Sequence, residues 1–154
     1  MKISDYLKKD RISLCLKAQV KEDAVKELSI FLKGAPEIID FDLFLKDVFE
    51  RESLKTTGIG NGIAIPHART EAVKNFVIVF GKSTEGVEFD SLDAKPVKLI
   101  FLMGTPKGKN LNDYLEILAR LTRLLQHESF RNALLQASSP EEIINEFNKA
   151  EGGK

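Results

Sequence analysis

Val97-Lys98-Leu99-Ile100-Phe101-Leu102-Met103 is an almost unbroken apolar run rich in β-branched and aromatic residues, preceded by Pro96 and followed by Gly104. Its length suits a strand rather than a helix, and continuous apolarity marks a strand buried on both faces. Phe76-Val77-Ile78-Val79-Phe80 repeats the texture upstream and is closed by Gly81. A sheet built from such strands needs cover on each side. The helical patterns that could supply it lie before and after these runs. The expected architecture is therefore α/β, a three-layer sandwich with a mixed central sheet and helices on both faces.

Upstream, residues 3–9 read as a short first helix and residues 12–16 as a short apolar strand or buried connection. Ala24, Val25, Leu28, Phe31 and Leu32 recur at helical spacing between Lys21 and Lys33, and Gly34 stops the pattern. Asp40 is placed to N-cap a second helix carrying Leu43, Phe44, Val48 and Phe49 and ending near Leu54. Downstream, Leu111, Leu115, Leu118, Leu121 and Leu125 form one helical stripe, and residues 130–137 form another. Ser139-Pro140-Glu141-Glu142 has the capping-box order that starts a last helix. These elements make one domain over residues 1–150, with 151–154 expected as a short flexible tail.

The chain has 154 residues, 43% of them hydrophobic and 30% charged, enough to bury a core without disulfides or a structural metal. Lys plus Arg and Asp plus Glu both number 23, and no basic cluster marks a nucleic-acid binder. No apolar run approaches the ~20 residues a membrane span needs, and the first residues form no signal stretch. The expected location is cytoplasmic. The single Cys15 excludes an intrachain disulfide and is expected as a small buried apolar residue. With two histidines sixty residues apart, His67 and His127, no metal site is expected.

Chemistry concentrates in Thr56-Thr57-Gly58-Ile59-Gly60-Asn61-Gly62-Ile63-Ala64-Ile65-Pro66-His67-Ala68-Arg69. Alternating glycines permit positive φ and can aim several N–H groups at an anion. Pro66 removes an N–H and should stop the short strand Ile63-Ala64-Ile65, leaving His67 where a buried strand gives way to a loop. The glycines precede a strand rather than a helix and lack a Gly-Lys-Ser/Thr ending, which excludes the dinucleotide and P-loop fingerprints. No nucleophile elbow accompanies the histidine.

Gly58-Ile59-Gly60-Asn61-Gly62-Ile63-Ala64-Ile65-Pro66-His67 closely resembles the active-site signature of enzyme IIA components of the bacterial phosphoenolpyruvate-dependent phosphotransferase system. The likeness is to the fructose/mannitol class, which includes the nitrogen-regulatory IIA proteins. It extends to Arg51-Glu52, Gly86-Val87-Glu88-Phe89, residues 96–102 and residues 115–121. The resemblance implies that His67 accepts a phosphoryl group at Nε2 from the phosphohistidine of the carrier protein HPr. It then passes the group to a cysteine of a IIB component, or holds it as a regulatory switch. The sequence shows no fused transporter or IIB segment, which is compatible with both outcomes and leans slightly toward regulation. No cofactor or metal is implied, because the phosphoryl arrives from another protein.

The resemblance assigns Arg51 to the phosphoryl oxygens, for which its planar fork of donors is suited; otherwise it is a solvated charge at a helix end. Thr57, Gly58, Gly60, Asn61 and Gly62, with the Thr56 hydroxyl, are candidate supports for the loop or the phosphoryl. Arg69 is a further candidate by adjacency. The sequence departs from the family pattern at Tyr114, which stands where many members carry a second active-site histidine. Its hydroxyl could donate to phosphoryl oxygens, or the ring could simply pack. His127 does not match that position and is expected to be structural or exposed. The Tyr114 departure motivates the rival reading, a regulatory binding module that keeps the fold without being phosphorylated.

Overall fold

The computed structural model describes residues 2–152. Its centre is the antiparallel pair formed by β5 (Val77–Val87) and β6 (Val97–Pro106), the two apolar runs recognised above. β1 (Ile12–Ser13) pairs parallel with the outer edge of β5. On the other side of β6, β3 (Ile63–Ala64) pairs parallel through Leu99 and Ile100, and β2 (Gly58–Gly60) pairs antiparallel with β3. β4 (His67–Thr70) takes up the same edge of β6 further along, pairing from Met103 to Pro106. The sheet is mixed.

Side chains alternate across it. Ile78, Phe80, Leu99, Phe101 and Met103 join a core with α3 (Leu111–Leu125), α4 (Glu128–Gln136) and α5 (Pro140–Gly152). Val77, Val79, Ile100 and Leu102 join a second core with α1 (Lys21–Ser29) and α2 (Phe41–Leu54). Both faces are thus dry, which is why the strands read as continuous apolar runs. Phe80 lies opposite Phe101 with ring centroids 4.9 Å apart, and Phe147 of α5 meets Phe101 edge-on at 6.1 Å. Such cross-strand aromatic pairs contribute roughly 0.2–1 kcal/mol each beyond alanine. The three-layer expectation agrees with this structure.

Local caps agree in part. The Asp40 side chain accepts from the Leu43 N–H and starts α2. Ser139 Oγ accepts from the Glu142 N–H to start α5, but the Glu142 carboxylate returns to Ser138 rather than to Ser139. The pattern from Lys21 to Lys33 is broken after Ser29 by a 3₁₀ turn over Ile30–Leu32, which rotates Phe31 outward. The first helix expected over residues 3–9 is instead two 3₁₀ turns, Ile3–Asp5 and Lys9–Arg11.

Two expectations are corrected. Cys15 is exposed, because the chain leaves the sheet after Ser13 and it is Leu16 that turns inward, its N–H donating to the Lys82 carbonyl. Glu151 and Gly152, assigned to a tail, are the last residues of α5. The Glu151 carboxylate accepts from the N–H groups of Ile3 and Ser4, which ties this turn to the start of the chain. Residues 153–154 lie outside the described residues.

A buried lysine closes one helix. Lys82 is 7% exposed, and its ammonium donates to the carbonyls of Leu134, Leu135 and Ala137 at the end of α4. All its donors are used on carbonyls left orphaned by the helix terminus.

Candidate functional site

The strand β3 does stop before Pro66, but no loop follows it. The chain jogs at Ile65-Pro66 and resumes pairing at His67, opposite Met103. Met103 N–H donates to the Pro66 carbonyl, so the proline's missing N–H costs the ladder little here. His67 is therefore the first residue of β4 rather than the start of a loop. Its backbone is fixed by the sheet, which suits a side chain that must be held at one angle.

The same jog leaves the Ile65 carbonyl free to receive the imidazole. His67 Nδ1 lies 2.7 Å from the Ile65 oxygen. A carbonyl only accepts, so Nδ1 carries the proton and Nε2 keeps its lone pair. The ring's pKa is held below 6.5, chiefly by burial and further by the charge of Arg51, against the opposing pull of the Ile65 hydrogen bond and of Glu52. Burial and positive charge both favour the neutral, nucleophilic form.

His67 opens onto a cleft of about 650 Å³ between α2 and the start of α3, lined also by Asp47, Glu50, Arg51, Ser53, Leu54, Ala68, Arg69, Lys107 and Tyr114. Arg51 reaches it from the last turn of α2, where its guanidinium donates to the Lys55 carbonyl at 2.9 Å. Tyr114, in the second turn of α3, is 4% exposed, and its ring centroid lies 6.2 Å from that of His67. Burial pushes the Tyr114 hydroxyl up to about 12, although Arg51 and Arg69 pull it down, so it stays a proton donor at neutral pH. The structure thus brings His67, Arg51, Arg69 and Tyr114 together.

It does not bring the glycine turn to them. Asn61 and Gly62 have φ of 58° and 77° and form a two-residue hairpin loop between Gly60 and Ile63. Positive φ at both positions is what a type I′ turn demands, and Asn-Gly is its usual sequence. Ile63 pairs with Leu99 and His67 with Met103, four residues apart along β6; at ~3.3 Å per residue this sets them about 13 Å apart. The Asn61 N–H donates to Asp93, a carboxylate rather than a vacant anion site. Of the two roles expected for Thr57, Gly58, Gly60, Asn61 and Gly62, the hydrogen bonds favour loop support, and none of these residues lines the His67 cleft.

Thr57 gives that support through Glu52, which the sequence marked only as part of the resemblance. Glu52, 6% exposed, accepts from both the N–H and the hydroxyl of Thr57 at 2.7 Å. Its second partner is Lys21 of α1 at 2.9 Å. This buried knot joins the end of α2 to the start of β2 and fixes the turn that carries Arg51. Asp47 is similarly tied, accepting from the Thr70 hydroxyl at 2.6 Å. Their polar positions within an amphipathic helix were the available signal. His127 is exposed at the start of α4, beyond the far end of α3 from Tyr114.

No helix among the described residues is long and apolar enough to cross a membrane. Comparison with known proteins places this geometry in context. The family described as "Phosphoenolpyruvate-dependent sugar phosphotransferase system, EIIA 2" matches residues 5–150. The PTS system fructose-specific EIIA component of Haloferax volcanii is 40% identical over 141 residues, covering 92% of this chain and 91% of that protein. The fructose-specific EIIABC component of Bacillus subtilis is 41% identical over 149 residues, which are 97% of this chain but only 23% of that longer protein. Nitrogen regulatory protein IIA-Ntr from Neisseria meningitidis matches in structure with a TM-score of 0.86 at 32% identity, covering 94% of this chain and 98% of that one. A nucleophilic imidazole on a rigid strand, beside an arginine and within the matched residues, agrees with that assignment: the chain belongs to the type 2 EIIA family of the phosphoenolpyruvate-dependent sugar phosphotransferase system.

Proposed function

We propose that the chain carries a phosphoryl group on His67 Nε2, taking it from the phosphohistidine of an HPr-type carrier and handing it to a cysteine of a IIB component. The observation that carries the reading is the Nδ1–Ile65 hydrogen bond, which leaves Nε2 as the free nucleophilic nitrogen in a cleft bordered by Arg51. In each transfer one bond to phosphorus forms as another breaks. The protein's task is in-line placement and stabilisation of the equatorial oxygens. Arg51 and the Tyr114 hydroxyl supply donors for those oxygens, and the Glu52–Thr57 knot holds the Arg51 turn in place. Work at the cytoplasmic face of a membrane transporter fits this role.

Identity of about 40% to fructose-specific components, against 32% to the nitrogen-regulatory structure, favours sugar uptake over regulation. Incubation with phosphoenolpyruvate, enzyme I and HPr, followed by intact-mass measurement, tests the carrier. One added phosphoryl that disappears in His67→Ala supports it. No addition would favour the binding module that Tyr114 at the second-histidine position motivates. Discharge of the label by a purified fructose-type IIB separates uptake from regulation.

A further inference from the structure

Two donors beside His67 point at nothing. Arg69 Nη1 and Tyr114 Oη are both buried, and neither has a hydrogen-bond partner among the described residues. Leaving a buried donor unmade costs about 1–3 kcal/mol, so two in one cleft suit it to an incoming acceptor. Asp47, which lines the same cleft, accepts from the Thr70 hydroxyl and from neither of these donors. Arg69 appears in no salt bridge among the described residues.

Register fixes the geometry. Arg69 stands two residues beyond His67 on β4, opposite Thr105 as His67 is opposite Met103. Residues two apart on a strand share a face. His67 and Arg69 are accordingly half-buried, while Ala68 and Thr70 between and after them are buried on the other side. The shared face is the one Tyr114 packs on, and the positive charge of Arg69 acts on the Tyr114 hydroxyl. Arg51 enters from α2, across the edge strand.

We infer that Arg69 completes the phosphoryl cradle, its Nη1 donating beside Tyr114 Oη to equatorial oxygens of the group on His67 Nε2, opposite Arg51. This rests on the carrier function proposed above and names a residue that completes its site. A phosphoryl group brings roughly two negative charges by analogy with other phosphorylated side chains; Arg51 and Arg69 match them. In the transfer, the Nε2–P bond forms as the N–P bond of the donor breaks and its electron pair returns to the donor ring. Arg69 and Tyr114 exchange no proton. They hold oxygens, and Tyr114 thereby occupies the second-histidine position without adding a titration near neutral pH.

The test uses the full chain and the variants Tyr114→Phe, Arg69→Met and Arg69→Lys, labelled by phosphoenolpyruvate, enzyme I and HPr. Tyr114→Phe removes only an unpartnered hydroxyl, so the unphosphorylated variant should melt at or above the wild-type temperature. Its labelling should nevertheless slow by about ten- to a hundredfold, as for loss of an oxyanion-stabilising donor. Arg69→Met should slow it similarly and Arg69→Lys less, since lysine keeps the charge but not the fork. In ³¹P NMR of the labelled proteins, the ionisation midpoint of the phosphoryl should rise in Arg69→Met and Tyr114→Phe, a shift that a merely structural role would not produce. If the wild type labels and these variants match it in rate and ³¹P titration, the cradle is wrong while the carrier function stands. If the wild type takes no label, both fail.

Discussion

The Nδ1–H of His67 donates to the carbonyl of Ile65, two residues earlier across Pro66. This contact selects the tautomer and the rotamer of the ring together. It depends on the pause in strand pairing between Ala64 and His67, where an oxygen is spared from the ladder.

Because burial and Arg51 hold the His67 pKa below 6.5, the neutral ring should dominate throughout the physiological range. Labelling from HPr should be flat between about pH 7 and 8 and decline on acidification below the ordinary histidine value. The linkage has the matching sign, since the unfolded chain binds this proton more tightly and acid costs stability through the group. A ¹H–¹⁵N titration of the ring reports the midpoint; a value above 6.5 would contradict the burial and charge described.

Arg51→Met removes the positive charge that adds to burial in lowering the His67 pKa, so the ring's midpoint should rise. Labelling should slow by about tenfold or more, as donors are lost from the developing charge. The side chain lies at the protein surface, so stability should move by no more than about 0.5 kcal/mol. Unchanged transfer kinetics would remove Arg51 from the site.

Glu52→Ala leaves the Lys21 ammonium with only the Thr56 hydroxyl and the Phe89 ring, and the Thr57 N–H without an acceptor. Urea unfolding should show a loss of roughly 2–3 kcal/mol, since breaking a buried charged network is costly while solvent relieves part of it at Lys21. Transfer should slow as well, through the displaced Arg51 turn. Equal stability of variant and wild type would show that the knot is incidental.

Glu37 receives both guanidinium nitrogens of Arg11, at 2.8 and 3.1 Å, and the ammonium of Lys8. These bonds lower its pKa from 4.5 to about 2. A depressed carboxylate contributes stability above its unfolded pKa and loses it as pH falls toward the folded one. Stability should therefore drop by about 1–2 kcal/mol between pH 4.5 and 2, allowing for solvent screening. In Glu37→Gln that part of the acid transition should be missing; an unaltered acid profile would refute the assignment.

Much of this was readable from residue order. The two long strands announced themselves because both faces are buried, and Asp40 marked the start of α2 through one side-chain oxygen. What escaped was set by distant partners. Asn61-Gly62 was open between supporting the loop and cradling an anion, and its choice is set by Asp93, thirty-two residues away, which accepts from the Asn61 amide of a hairpin loop. Pro66 marked the end of β3, but a loop was expected at His67, because nothing local reveals that β6 offers a second stretch of edge for β4. Cys15 sat in an apolar run that continues past the point where the chain leaves the sheet. Within the site, His67, Arg51 and Tyr114 were legible from the signature and its one departure. Arg69 was a candidate by adjacency alone, and a buried nitrogen without an acceptor gives it a physical claim.

The clasp between Glu151 and the amides of Ile3 and Ser4 makes the described chain nearly a closed ring. A short peptide bridge across that clasp would let the polypeptide be opened elsewhere, for instance in the turn at Ser91–Ala94, without redirecting any strand. The three layers would then be assembled from a different starting point around an unaltered cleft. Circular permutants of this kind would separate the order in which the elements are made from the arrangement that holds the imidazole.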